Sequence, residues 1–266
     1  MTLAELVRLA LAEDVGPGDV TTDAVAGDAS GRARIYAKER LVVSGHLAAA
    51  EVFRQLGAAY TVVVGDGEQT DGTIATVEGP LRALLTGERV ALNFLMRLSG
   101  VATHTRAVVK AAALPVLDTR KTTPLLRALE KAAVRHGGGR NHRMALYDGV
   151  MIKDNHIVAA GGIAEAVRRA RAHAHPLLKI EVEVESLDEL RLALDAGADV
   201  VLLDNMDDAT LAEAVRVAAG RAKLEASGGM TPERVARLAG IGVDWVSMGG
   251  LIHRARWVDL SMRIEG

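Results

Sequence analysis

"LKIEVEVESLDELRLALDAGADVVLLDN", residues 178–205, holds one complete structural repeat. Two short runs rich in Val, Ile and Leu, "LKIEVEV" and "DVVLLDN", flank "SLDELRLALDAG", whose apolar residues recur at helical spacing. Strand, helix, strand in that order is the unit of a parallel sheet. The pattern extends both ways. "PVLDTR" and "GVMIKD" precede it as strands, and "KLEASGG" and "DWVSMGG" follow it. Between them lie the helical stretches "PLLRALEKAAVRHG", "IAEAVRRARAHA", "DATLAEAVRVAAG" and "TPERVARLAG". Such a run predicts an incomplete parallel α/β barrel of about seven strands over residues 109–250. No G-x-G-x-x-G follows the first strand, which argues against a dinucleotide-binding sheet.

Residues 1–108 read differently. Leu3 to Glu13 has helical spacing, and "EDVGPGDVTT" reads as a turn-rich loop. "RARIYAKE", "YTVVVGDG" and "TIATVEGP" read as strands, and "HLAAAEVFRQLG" and "ERVALNFLMRLSG" as helices. Adjacent strands of this kind predict a separate N-terminal α+β sandwich domain. The stretch "RARWVDLSMRIEG" alternates like a strand, so a tail over 251–266 is expected to return to that domain.

The chain is 49% hydrophobic with 25% charged residues, as in soluble globular proteins, but only seven residues are Phe, Trp or Tyr. Small aliphatic side chains must therefore fill the core. Cysteine is absent, so disulfides and thiolate chemistry are excluded. That fits a reducing compartment, and a cytoplasmic location is expected. No apolar run is long enough for a membrane span. The opening "MTLAELVRLALAEDVGPGD" reads as a helix rather than a signal peptide. Neither a nucleic acid nor a membrane is an expected partner, because a slightly acidic chain lacks the broad positive surface that phosphate backbones require.

Charge is nevertheless uneven. From Asp118 to His156 there are eight Lys or Arg, four Asp or Glu and three His. That segment is +4, which leaves −6 for the rest of a chain whose total is −2. A small, highly charged anion is the first candidate to explain it. The strand ends point the same way, since parallel barrels bind ligands at the C-terminal ends of their strands. The successive ends carry Arg120 and Lys121, Lys153, Glu183, Asp204, Ser227 with Gly228 and Gly229, then Gly249 with Gly250. From Glu183 the markers recur after 21, 23 and 22 residues, one strand–helix unit each. For any single position, loop composition or a helix cap explains the residue as well. Lys153 and Glu183 resist that explanation, because a charge tied to a buried strand is costly unless paired or used. The glycine pairs suit either tight turns or close backbone approach to phosphate. In "GGGRNHR" (137–143), Arg143 offers a planar fork for carboxylate or phosphate. His142 alone is a weak signal. Metal-ligand spacing is lacking, so a fixed zinc site is not expected. Glu183 and Asp204 suit Mg²⁺ held largely through substrate phosphates.

"DTRKTTP", "GGGRNHR" and "YDGVMIKDNH", with "IEVEVES", "LLDN", "EASGG" and "SMGG", resemble the quinolinate phosphoribosyltransferases, or carboxylating nicotinate-nucleotide pyrophosphorylases. The resemblance covers nearly the whole chain. It implies phosphoribosyl transfer from phosphoribosyl pyrophosphate to quinolinate, with Mg²⁺, in NAD synthesis. It also implies a homodimer, or a larger assembly, with composite sites. Carried over residue by residue, it implies that Thr119, Arg120, Lys121, His142, Arg143 and Lys153 form a cationic pocket. It makes Glu183 and Asp204 the acidic pair for ribose and metal, and Ser227, Gly228, Gly229, Gly249 and Gly250 the phosphate loops. Lys121, Lys153, Glu183 and Asp204 are the expected catalytic set. Arg89, in "GERVALN", matches an arginine that the family donates from a neighbouring subunit. Leu125 stands where the family has Gly and is expected in the first turn of a helix. Three alternatives stay open: a paralogous group encoded near molybdate transporters, a non-catalytic anion-binding protein, and an aldolase using Lys153 as a Schiff base.

Overall fold

The computed structural model describes residues 1–265. Helix α1 (Leu3–Val15) opens on a capping box, with Glu5 N–H donating to the Thr2 hydroxyl at 3.2 Å and Thr2 N–H to the Glu5 carboxylate at 2.6 Å. The stretch expected as a loop ends inside helix α2 (Val20–Val25), started by Asp19, which accepts the Thr22 N–H at 3.0 Å. Then come β1 (Ser30–Ala37), β2 (Leu41–Val42), α3 (His46–Gln55), β3 (Ala59–Val62), β4 (Gln69–Thr70), β5 (Thr73–Pro80) and α4 (Leu81–Ala111). Helix α4 is far longer than the 88–100 expected, because it runs through two glycines. Both are required by packing. A Cβ on Gly87 would sit 2.9 Å from Phe53 and Leu56, and one on Gly100 only 2.1 Å from the Arg256 carbonyl oxygen.

Strand β6 (Val116–Leu117), α5 (Arg127–His136), β7 (Val150–Ile152), α6 (Asp154–Ala160) and α7 (Ile163–His173) follow. After them β8 (Ile180–Val184), α8 (Leu187–Asp195), β9 (Val200–Asp204), α9 (Asp208–Ala218) and β10 (Lys223–Ser227) alternate strictly. The chain continues with α10 (Pro232–Leu238), β11 (Trp245–Ser247), α11 (Gly250–His253) and β12 (Leu260–Glu265).

Two compact units result. The first combines residues 1–106 and 123–138 with the chain from Arg254 on, and the second combines 107–122 with 139–253. The boundaries expected at 108 and 250 shift to 106 and 253, and α5, expected in the barrel, joins the first unit. The reason is a buried ion pair. Glu130 of α5 is fully buried and accepts from Arg97 of α4 at 2.7 and 2.9 Å, and from the Thr123 N–H at 2.8 Å. Removing either partner of such a pair strands a charge without solvent, which fixes α5 where Arg97 is.

The first unit is built on the antiparallel sheet β12-β1-β5-β3. Alternation along β1 buries Ala33, Ile35 and Ala37 against Val52 and Phe53 of α3 and Ile74 and Val77 of β5 in one aliphatic core. The second unit is built on the parallel sheet β6-β11-β10-β9-β8-β7. The seventh strand is a single bridge. Arg140 N–H donates to the Val116 carbonyl at 2.9 Å, and Asp118 N–H to the Arg140 carbonyl at 3.0 Å. Among the described residues no pairing joins Arg140 to β7, so the barrel is open along that line. No helix among them is long and apolar enough to cross a membrane.

Leu125 is not in a helical turn as expected. It precedes α5 with φ at 67° and is 67% exposed. Left-handed backbone costs an L-residue about 1–2 kcal/mol, a cost that Gly does not carry. Glycine loses more entropy on folding, about 0.5–1 kcal/mol. Leu125→Gly is therefore expected to stabilise the protein by up to about 1 kcal/mol, read as a raised thermal midpoint. A lowered midpoint would show that the Leu125 side chain contributes more than the strain costs.

Candidate active site

Because all six barrel strands are parallel, their C-terminal ends share one edge, and alternate residues on each strand face one way. Those alternations bring Met151 and Lys153, Leu202 and Asp204, and Glu225 and Ser227 to the wall of one cavity of about 490 Å³. Thr119, Arg120, Lys121, His142, Arg143 and Glu183 complete most of the wall. Nine of the residues singled out in the sequence thus meet in one place. Arg89 does not, being exposed on α4 in the first unit. It also lies two turns into α4 rather than at the start of a helix, so the helix dipole does not act on it.

Gly228, Gly229, Gly249 and Gly250 form the turns just past β10 and β11. At Gly228 and Gly249 the lack of a side chain makes room for neighbours. A Cβ on Gly228, which has φ at +81°, would lie 2.2 Å from the Asn205 side-chain oxygen. One on Gly249 would lie 3.0 Å from Cδ of Lys121 and 3.3 Å from the Thr119 hydroxyl. Arg234 of α10 holds the first turn by donating to the Gly228 carbonyl at 2.9 Å. Helices α10 and α11 have only seven and four residues, so little dipole backs either turn.

The cations are crowded. Burial pushes the Arg143 guanidinium below its usual range, and the nearby positive charge of Arg120 lowers it further. Arg143 donates to the Gly149 carbonyl at 3.0 Å, whereas Nε of Arg120 is buried without a hydrogen-bond partner. Two guanidiniums this close, one of them with an unpartnered buried nitrogen, are unfavourable until an anion enters. The Lys153 ammonium rests on the Glu183 carboxylate. That is not the apolar pocket an amine nucleophile needs.

Two acids missing from the sequence reading lie beneath these groups. Glu181 and Glu225 are 7% and 1% exposed, and His142 Nε2 approaches them at 3.1 and 3.5 Å. Burial works against charge on His142, but the two carboxylates outweigh it and push its pKa up to about 10. Burial also opposes charge on Glu225. His142, Ser247 and the Trp245 indole N–H together keep it below the usual carboxylate range, whereas burial raises Glu181. One contact opposes an imidazolium: the Arg143 amide donates to His142 Nδ1 at 2.8 Å. A single hydrogen bond between neighbours is worth about 1 kcal/mol, less than two buried carboxylates at contact distance, so the charged form prevails. The only sequence signal for these acids was Glu alternating with Val in "IEVEV" and Glu inside "KLEAS".

The same three side chains have the donor number of a metal site, with ligating atoms within 4.8 Å of one another. The chemistry does not fit. Whether Nδ1 accepts from Arg143 or the ring is charged, Nε2 carries a proton and has no lone pair for a metal. Glu183 and Asp204 fit Mg²⁺ better. Both have carboxylates on the cavity wall, and Mg²⁺ needs only one or two beside substrate oxygens.

The family models for quinolinate phosphoribosyl transferase match this chain twice, the N-terminal domain over residues 19–99 and the C-terminal domain over 101–263. The chain belongs to the quinolinate phosphoribosyltransferase family. A relative from Bacillus subtilis (strain 168), a probable nicotinate-nucleotide pyrophosphorylase [carboxylating], is 43% identical over 99% of this chain and 94% of its own length. One from Synechocystis sp. with the same description is 45% identical over 96% of this chain and 90% of its own. Among solved structures, the nicotinate-nucleotide pyrophosphorylase of Francisella tularensis superposes with a TM-score of 0.94 at 39% identity, covering 99% of this chain and 96% of that one. That of Ehrlichia chaffeensis gives 0.94 at 35% identity over 100% and 99%. The family's two-domain architecture, an antiparallel sheet domain with an open parallel barrel, is therefore this chain's architecture too.

Proposed function

We propose that this protein transfers the phosphoribosyl group of phosphoribosyl pyrophosphate to quinolinate, yielding nicotinate mononucleotide, pyrophosphate and CO₂ for NAD synthesis. The observation that carries the reading is the packed cation group, in which Arg120, Lys121, His142, Arg143 and Lys153 line one cavity. Two adjacent carboxylates on a flat ring are matched by the two guanidiniums, with the His142 imidazolium behind them, and a single carboxylate leaves part of the guanidinium charge unmet. Arg89 of the partner subunit completes the carboxylate site in a homodimer. A cytoplasmic location belongs to the same proposal.

Quinolinate lies with its carboxylates on Arg120 and Arg143, backed by His142. Lys121, which lies over Gly249, and the turns at Ser227–Gly229 and Gly249–Gly250 hold the phosphates. Glu183 and Asp204 hold the ribose hydroxyls and Mg²⁺, which when bound neutralises the departing pyrophosphate. As the C1–O bond breaks, positive charge grows on the ribose, and the same two carboxylates stabilise it. The pyridine nitrogen donates its electron pair to C1, and the ring becomes cationic. That charge accepts the electrons released when the neighbouring carboxylate leaves as CO₂, and a proton takes its place on the ring. Lys153 leaves Glu183 for the anionic substrate.

The test is incubation with quinolinate, phosphoribosyl pyrophosphate and Mg²⁺, following CO₂ and nicotinate mononucleotide. Product must form. With nicotinate instead, followed by pyrophosphate release, kcat/KM should fall roughly 10- to 100-fold, because each unmet buried partner costs about 1–3 kcal/mol. Equal use of the two acids would refute the dicarboxylate site.

A further inference from the structure

Glu225 has no part in the scheme above, yet it is the most thoroughly held carboxylate beneath the cavity. It sits on β10 two residues before Ser227, 1% exposed. The Trp245 indole N–H on the adjacent β11 donates to its Oε2, and His142 Nε2 approaches that same oxygen at 3.5 Å. Ser247, also on β11, shares a hydrogen bond with the Ser227 hydroxyl at 3.1 Å and ties the two strand ends together. Oε1 of Glu225 and Oε1 of Glu181 find no donor among the described residues. His142 is thus the positive group that answers both acids. From the other side, Asp118 accepts the His142 backbone N–H at 2.9 Å and fixes the main chain.

We infer that Glu225, braced by Trp245, is a positioning residue that holds the His142 ring and keeps it charged, so that its positive charge backs the site for a carboxylate of the dicarboxylate substrate. This rests on the proposed function for the identity of that substrate, though not for the charge of the ring. A pocket that collects anions tends to hold a histidine near neutral, because Arg120 and Arg143 on the same wall repel an imidazolium. Two buried acids reverse that balance before substrate arrives. The charged groups facing His142 are Glu181 from β8, Glu225 from β10, Asp118 past β6, and Arg120 and Arg143 beside it on the wall. Glu181 and Glu225 reach Nε2, and the Arg143 backbone N–H reaches Nδ1. Burial alone would lower the ring's affinity for a proton, so removing Glu225 must move its titration toward neutrality.

The sign follows. With the folded pKa raised, the ring is charged throughout the neutral range and loses its proton only as pH climbs toward 10. In Glu225→Gln, which keeps an oxygen for Trp245, the loss should come at least about one pH unit lower, a tenfold weaker hold on the proton. Nitrogen-15 NMR of histidine-labelled, substrate-free protein reads this directly, with His142→Asn to assign the signal. Wild-type His142 should stay doubly protonated to at least pH 8.5. Glu225→Gln should shift the titration down, and Trp245→Phe should shift it less in the same direction. In assays, KM for quinolinate in Glu225→Gln should rise about tenfold between pH 6 and pH 8.5 while KM for phosphoribosyl pyrophosphate stays within about twofold. A wild-type ring that titrates below pH 7, or a variant whose two KM values rise together at every pH, would overturn the inference. If the wild type makes no product from quinolinate, the functional reading fails. The NMR titration still decides the role of Glu225.

Discussion

Lys153→Ala should lower kcat/KM for quinolinate by two to three orders of magnitude while leaving the thermal midpoint within a few degrees. Lys153 follows β7 directly and rests its ammonium on Glu183, whose side chain is only 16% exposed. In the free protein this pair balances itself. On the proposed reading, Lys153 turns to the anionic substrate in the complex and Glu183 to the ribose and metal, so the pair is exchanged rather than lost. Truncating one partner of a desolvated charge pair costs about 2–5 kcal/mol. Each 1.4 kcal/mol is tenfold in rate. Lys153→Arg distinguishes charge from geometry. An ammonium is a compact point charge and a guanidinium a planar fork, so rescue should be poor. Turnover within about tenfold of wild type in Lys153→Ala would remove Lys153 from the site.

Arg89→Ala is expected to weaken quinolinate binding by about 2–4 kcal/mol although Arg89 lies outside the cavity of its own chain. The side chain is exposed on α4, and an exposed arginine normally costs little to remove. A large loss without loss of fold would therefore place Arg89 in another copy's site. Mixing decides the matter. Arg89→Ala and Lys153→Ala should each be nearly inactive alone. After subunit exchange, heterodimers carry one site with neither change, and activity should partly return. If mass spectrometry confirms exchange and activity stays absent, the shared site is wrong.

The barrel and most of its mouth were legible in the sequence because both rest on local periodicity. Apolar runs followed by Lys153, Glu183, Asp204 and Gly249 mark strand ends whatever the rest of the chain does. Glu181 and Glu225 were not legible. A glutamate inside a strand faces either way, and only the parallel pairing of β8, β9 and β10 tells which way is inward. His142 looked like a weak signal because both of its acids come from strands far along the chain. The extent of α4 was hidden by Gly87 and Gly100, whose reason for being glycine lies in Phe53, Leu56 and the Arg256 carbonyl. The place of α5 was hidden likewise, since nothing near Glu130 in sequence announces Arg97. Leu125 shows the converse, a local strain that no spacing rule predicts.

The sheet of the first unit runs β12-β1-β5-β3, so β1 lies inside the sheet only after β12 has arrived. On a ribosome that order has a cost. Strand β1 ends at Ala37, whereas β12 starts at Leu260, and every barrel strand is synthesised between them. Throughout that interval β1 offers one unpaired row of backbone N–H and C=O groups, the kind of edge at which nascent chains join one another. Arg32 and Arg34 alternate with the buried Ala33 and Ile35 along it, and paired with β12 they face Glu265 and Arg263. Arg32 is already answered by Glu78 across β5, so the Arg34 charge is what that edge presents until β12 closes the row.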